Sequence, residues 1–286
     1  IPFALWVLFE HVSRSALAAG KEGLVMKSKK KKKSKNLHLA FYFGFFIILI
    51  IVISVVFKSV DLVRRSQFDG KHRFTIALMQ DNETDVVSVS PMEGSIVALH
   101  LKKTQNPDSL KTLSVPIDSY VKTDSDFSFS VKHIFLKMLI NKRRLQTKLT
   151  SIDLIRLSIY AIGVNEQKIK REEADASNLD ELSLLSPTLF VDPTISGEKV
   201  TIQITNATEV SGLGNKLAKY IVNMGGNVIL VNSSKDVKDK SQIIYKAESY
   251  TVKKLENFLN VPGQKKEMDS ISDVVVVIGK DRMEIN

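Results

Sequence analysis

The apolar positions are concentrated first in one stretch. From Leu39 through Phe57, within LHLAFYFGFFIILIIVISVVFKSV (residues 37–60), no side chain carries a charge. At about 1.5 Å per residue such a run crosses a hydrocarbon core about 30 Å thick, so it predicts a single transmembrane helix. A buried core helix of a soluble domain would be shorter and flanked by fewer lysines. After residue 60 the pattern breaks into short periods. Residues 61–71 are polar and predict a stalk. Arg73–Met79, Thr84–Ser90 and Ser95–Leu101 are brief and rich in β-branched residues, which favours strands. The turn signals Asp81-Asn82-Glu83 and Pro91–Gly94 separate them. A polar loop around Asn106-Pro107-Asp108 follows, then a short apolar piece between Leu110 and Val121. Val131, Ile134, Phe135, Met138 and Leu139 fall on one face of a helix. Lys142-Arg143-Arg144 closes it, where cations suit a helix C-terminus. Thr150 to Asp153 has the form of a cap with an acid in the first turn, and Ile152, Ile155 and Ile159 predict the buried stripe of the next helix. Residues 72–163 therefore read as a small extracytoplasmic α+β domain.

Residues 164–197 are charged, Ser-rich and unpatterned apart from Leu179, Leu182, Leu184 and Leu185, and they predict a linker with one helical turn. Residues 198–286 are patterned throughout. Lys199–Thr205 alternates as a strand. Gly212–Met224 places Leu213, Leu217, Ile221 and Met224 on one helical face, and Gly225-Gly226 supplies the left-handed end. Asn227–Val231 predicts a second strand, parallel to the first if the crossover is right-handed. Ser241–Tyr245 is a short strand and Ala247–Leu259 a helix with Val252, Leu255 and Leu259 inward. Asp273–Ile278 is apolar enough for a central strand buried on both faces. The fold class is thus α+β/α/β: a single transmembrane helix, a small α+β domain, and a C-terminal β-α-β-β-α-β sandwich.

Charge changes the picture at one place. The chain of 286 residues carries +10, and seven positives, Lys27, Lys29, Lys30, Lys31, Lys32, Lys33 and Lys35, precede the span with no acid among them; +10 less these seven leaves +3. Lysines beside a span stay cytoplasmic and attract anionic headgroups at about 1 kcal/mol each. The expectation is a cell-membrane protein whose cytoplasmic stub is residues 1–36, with the C-terminus extracytoplasmic. The lipid bilayer is then its first partner. No basic stripe interleaved with aromatics follows, so no nucleic acid is expected. Met26 leads directly into the lysines and the span, which predicts a start at Met26. An amphipathic segment over residues 1–25, lying on the membrane, is the alternative. With no cysteine, a disulfide scaffold and a cysteine nucleophile are excluded.

The candidate chemistry is sparse. Asn206, Thr208, Ser211, Gly212 and Gly214 form a strand–turn–helix whose helix N-terminus would hold an anion. The reading favoured over this is that the glycines serve the turn and close packing. Neither nucleotide-binding glycine motif is present. His11, His38, His72, His100 and His133 lack ligand spacing, so no metal and no cofactor are expected. Asp81, Glu83, Asp85, Asp118, Asp124 and Asp126 include the material for a carboxylate pair, but turns collect acids. Lys137, Lys142, Arg143, Arg144 and Lys148 suit an anionic wall polymer, lipid headgroups or a solvated helix end. No residue is assigned a catalytic role.

The order VTIQITNATEVSGLGNKLAKYIVNMGGNVILV, a short strand with Ile243-Ile244-Tyr245, then SDVVVVIGKDR, resembles the LytR C-terminal domain, which often follows the LytR–CpsA–Psr catalytic domain of bacterial envelope proteins. That family's Asn-Gly-(Thr/Ser) strand exit stands here as Asn206-Ala207-Thr208, and its helix start as Gly212-Leu213-Gly214. Upstream, the catalytic pattern Ser-Ile-Pro-Arg-Asp is matched only by Ser114-Val115-Pro116-Ile117-Asp118, and Arg-Thr-Asp only by Glu83-Thr84-Asp85. Replacing two phosphate-facing arginines by Ile and Glu removes bidentate clamps. The resemblance implies an envelope protein that binds or scaffolds at the wall, with peptidoglycan, an anionic wall polymer or other envelope proteins as partners. The alternative is a divergent phosphotransferase attaching glycopolymers to peptidoglycan. An apolar cavity ringed by Arg and Asp would favour the enzyme.

Overall fold

The computed structural model describes residues 35–80, 83–102, 109–123 and 130–283. The chain divides into two units, Ile1–Val56 and Phe57–Asn286. Met26, the lysines from Lys27 to Lys33, the Asp81-Asn82 turn, the loop at 106–108, and Asp124 and Asp126 lie outside the described residues. Helix α1, Lys35–Arg64, contains the apolar run. Its segment Phe41–Arg64 is long and apolar enough to cross a membrane, and none of its apolar window is buried.

Six strands form the first sheet: β1 (Phe74–Met79), β2 (Glu83–Ser90), β3 (Ser95–Lys102), β4 (Ser119–Lys122), β5 (Gln146–Thr147) and β6 (Ile169–Asp175), in the order β5-β4-β1-β2-β3-β6. β1, β2 and β3 are an antiparallel meander, while β4 runs parallel to β1 and β6 parallel to β3. Side chains alternate between two cores, as the pleat requires. Phe74, Ile76, Leu78, Val87, Val89, Ile96 and Ala98 face α3 (Ile134–Ile140) and α4 (Ser151–Gly163). Ala77, Val86, Val97, Leu99 and Leu101 face α2 (Ser109–Leu113) and α5 (Leu179–Leu189).

Three expectations are corrected here. The stretch 61–71 is not a free stalk: Phe68 is buried, with its ring 5.5 Å from that of Phe74. Residues 164–197 are not a linker. They hold β6, α5 and α6 (Pro193–Glu198), and β6 pairs with β3 over its whole length. The charges of β6 conceal it because an edge strand leaves half its side chains in water. Finally, α4 buries Leu154, Leu157 and Ala161, while Ile155 and Ile159 face outward. The helix carries two apolar stripes, and its capped N-terminus decides between them. Thr150 and Asp153 exchange the two bonds of a capping box, and Asp153 also reaches inward to residues 66–68.

The second sheet comprises β7 (Thr201–Asn206), β8 (Asn227–Ser233), β9 (Gln242–Tyr245), β10 (Gly263–Lys265) and β11 (Val274–Ile278), ordered β10-β9-β11-β7-β8. Helix α7 (Leu213–Asn223) follows β7 and leads to the parallel strand β8. Helix α8 (Tyr250–Leu259) precedes β10. The sequence of elements is β-α-β-β-α-β-β, one short strand more than expected. Ile202, Ile204, Val274, Val276 and Ile278 share a core with Leu213, Leu217, Ile221, Val252 and Leu255. In β11 only alternate residues are buried, Val275 and Val277 being half-buried. The strand is central but covered fully on one face, so the expectation of burial on both is corrected.

Candidate functional site

The two sheets meet around the chain between α2 and β4. Leu110 and Leu113 of α2 pack into the first sheet's second core, which presents the backbone of residues 111–114 to α7. Tyr220, buried on α7, donates its hydroxyl to Lys111 O at 3.2 Å. One turn on, Asn223 Nδ2 donates to Ser114 O at 2.9 Å. Ser114 itself takes a left-handed backbone (φ 49°). Asp118 joins the same junction from two sides: it accepts from Thr75 N at 2.8 Å and from Lys254 Nζ of α8 at 2.5 Å. Further along, His72 stacks on Tyr250 with ring centroids 3.7 Å apart, and the Tyr250 hydroxyl donates to Asp192 at 3.2 Å. Burial, with Asp192 and Asp118 nearby, pushes the Tyr250 phenol well above its usual range.

These contacts leave a cavity of about 340 Å³ lined by Met79, Leu110, Lys111, Val115, Ile117, Tyr120 and Tyr220. Its walls are apolar, and its polar groups are two phenols and one amine. Burial, with Tyr120 beside it, pushes the Tyr220 phenol up to about 12. Burial also raises Tyr120, against the opposing charge of Lys111. Both hydroxyls therefore stay protonated at neutral pH, Tyr220 donating to Lys111 O, and neither is a base. The arrangement suits an apolar chain or ring with a polar or anionic end. Among the described residues no arginine or aspartate lines it. Sequence reasoning did not find this site, because its residues come from β1, α2, β4 and α7 and share no spacing. The signal within reach was Ile117, which stands where the resemblance places an arginine.

The five predicted residues lie together, but elsewhere. Asn206 ends β7 with its Nδ2 donating to Val210 O at 2.8 Å; its Oδ1 accepts from Thr208 N at 3.1 Å and Thr208 Oγ1 at 2.7 Å. Both side chains hold the turn. Ser211 and Gly212 are exposed at the start of α7, where Gly212 has φ 80°, a backbone that favours glycine. At Gly214 a Cβ would stand 3.0 Å from Val231, so this glycine serves close packing against β8. Tyr220 lies about 10 Å further along α7. Of the candidate carboxylates, Asp85 pairs with His100 at 2.6 Å and Asp118 with Lys254, so the two have different partners. Burial raises Asp85, opposed by His100. No group of three or more His, Asp or Glu could hold a metal among the described residues.

Residues 199–281 match the family described as LytR cell envelope-related transcriptional attenuator. No curated protein matches the chain. Among solved structures, the transcriptional regulator yvhJ from Bacillus subtilis is 13% identical over 42% of this chain and 98% of its own, with a TM-score of 0.31. B. subtilis TagV is 13% identical over 40% and 95%, with a TM-score of 0.27. The Lin1025 protein of Listeria innocua is 12% identical over 63% and 88%, at 0.18. With TM-scores this far below 0.5, none of the three bears on what this chain does.

Proposed function

We propose that this chain, whose residues 199–281 are a LytR C-terminal domain, is a single-pass protein of a bacterial cell envelope that binds or scaffolds at the cell wall. Its lysine-rich N-terminus is cytoplasmic and its two sheets are extracytoplasmic. The observation that carries this reading is the joining, in one chain, of an unburied 24-residue apolar helix and a domain of a cell envelope-related family. Peptidoglycan or an anionic wall polymer is the proposed ligand. Ser211 and Gly212 meet it at the open N-terminus of α7, presented by the turn that Asn206, Thr208 and Gly214 hold. The junction cavity is a second, apolar binding place. Its phenols and single lysine support binding over the alternative, a divergent phosphotransferase, which needs cations and carboxylates around a pyrophosphate.

The test is retention of the detergent-solubilised chain on sacculi, with and without their anionic polymer. Retention on either supports wall binding, and loss on removing the polymer assigns the ligand. Retention on neither overturns the reading.

A further inference from the structure

Among the described residues, one face of helix α4 is left largely uncovered. Ile155 is 44% exposed, Ile159 70% and Ile162 50%. They recur at the helical period, beside the buried stripe of Leu154, Leu157 and Ala161. Ile140, at the end of the neighbouring α3, is 74% exposed. Four exposed isoleucines in one helical layer are unusual for a solvated surface. The same layer is strongly cationic. Residues 131–163 contain Lys132, Lys137, Lys142, Arg143, Arg144, Lys148 and Arg156, and one acid, Asp153. That acid is fully buried and accepts five hydrogen bonds, so it does not temper the surface; just beyond the layer, Glu166 meets Lys132 at 3.4 Å.

The layer is also tied to the end of the apolar helix. The span ends at Arg64. Two residues later Ser66 Oγ donates to Asp153 at 2.6 Å, followed by Gln67 N and Phe68 N, both at 2.9 Å. Arg156 adds a second clamp, donating to Phe68 O at 3.0 Å. Two residues of chain reach no more than about 7 Å. Ile162, nine residues past Asp153, lies about 14 Å further along α4. The isoleucine face is therefore held within roughly 20 Å of where the span ends.

We propose that the α3–α4 layer rests on the anionic lipid surface beside the span, with Ile155, Ile159 and Ile162 entering the interface and the cations meeting headgroups. This inference rests on the single-pass reading above. Apolar residues flanked by Lys and Arg are the composition of a helix lying in the interface plane. An anionic wall polymer would use the cations and leave the isoleucines in water. Docking on the bilayer fixes the height and orientation of the second sheet, whose α8 is joined to the first through Asp118 and Lys254.

The chain has no cysteine, so a single label reports without background. Ile159→Cys and, as a control, Ile271→Cys on the second-sheet portion, 80% exposed, are labelled with an environment-sensitive dye. The full chain is reconstituted into phosphatidylcholine–phosphatidylglycerol vesicles that carry a headgroup-level quencher. Quenching severalfold stronger at 159 than at 271 is expected, weakening in high salt and with Arg143→Glu and Arg144→Glu together. Equal quenching at the two positions, in a chain that floats with the vesicles, overturns the proposal and leaves the single-pass reading standing. A chain that does not float overturns both. Shielding of the 159 label by anionic wall polymer in detergent, with none by vesicles, assigns the face to the polymer and also overturns it.

Discussion

Asp153→Ala is the perturbation whose consequence can be worked furthest. The carboxylate is fully buried. It accepts from Ser66 Oγ (2.6 Å), Gln67 N (2.9 Å), Phe68 N (2.9 Å), Thr150 N (2.7 Å) and Thr150 Oγ1 (2.8 Å). Gln67 is exposed and can turn to water, but Phe68 and Thr150 are buried. Each buried donor left without an acceptor costs about 1–3 kcal/mol, and the Thr150 N bond is the half of the capping box that Asp153 supplies. For Phe68 N and Thr150 N together the loss is roughly 4 kcal/mol. For a unit of this size each kcal/mol lowers Tm by about 2–4 °C, so thermal unfolding followed by circular dichroism should fall by about 8–16 °C. Hydrogen exchange at Gln67 and Phe68 should lose its protection. The pH dependence has a definite sign. Burial would raise the carboxyl, but the bonds from Ser66, Phe68 and Thr150 outweigh it and hold the folded value below the ordinary 3.8. A depressed folded pKa contributes stability fully above 3.8, and that contribution is lost as pH falls through the folded value. Asp153→Asn should therefore flatten the loss of stability below about pH 4. If Asp153→Ala melts with the wild type and residues 67 and 68 stay protected, the carboxylate is not the knot described here.

Gly279→Ala would set a Cβ 2.5 Å from the backbone carbon of Lys240, and Gly226→Ala one hard against Ile221 Cγ2. Each should destabilise by about 1–3 kcal/mol in urea denaturation. Lys254→Ala leaves Asp118 with Thr75 N as its partner; a loss of about 1–3 kcal/mol should appear as earlier unfolding of the whole 57–286 unit. Tyr220→Phe removes the bond to Lys111 O, costing about 1 kcal/mol, while an apolar fluorescent probe should still enter the cavity. Ile117→Arg should abolish that entry by placing a charge on an apolar wall.

Elements with one clear period were legible in the chain. The meander β1–β3 and the β7–α7–β8 crossover lie within a residue or two of their expected limits: β1–β3, β7 and α7 each bury one face and expose or differently bury the other, while β8, exposed along nearly its whole length, was legible from its β-branched run alone. The misses have physical causes. Ile169–Asp175 reads IKREEAD, and only its role as an edge strand makes five charged residues compatible with pairing. Helix α4 offers a Leu/Ala stripe and an Ile stripe of equal apolarity, and only the inward reach of Asp153 shows which one is buried. Thr150–Asp153 was readable as a cap, but its second use on residues 66–68, 85–87 positions away, was not. The cavity escaped for the same reason: tertiary packing assembles it from four elements. The turn expected at 206–211 is a turn, and its Asn206 and Thr208 side chains bond one another.

On the single-pass reading, everything beyond the span is outside the cell and held there by α1. Single cysteines in a natively cysteine-free chain test it directly. Ser28→Cys and Ile271→Cys variants are exposed, in intact cells, to a maleimide that cannot cross the membrane. Labelling at 271, and none at 28 until the cells are lysed, is the expected result. Labelling at 28 alone, or protection of both in a chain recovered from the soluble extract, would contradict it.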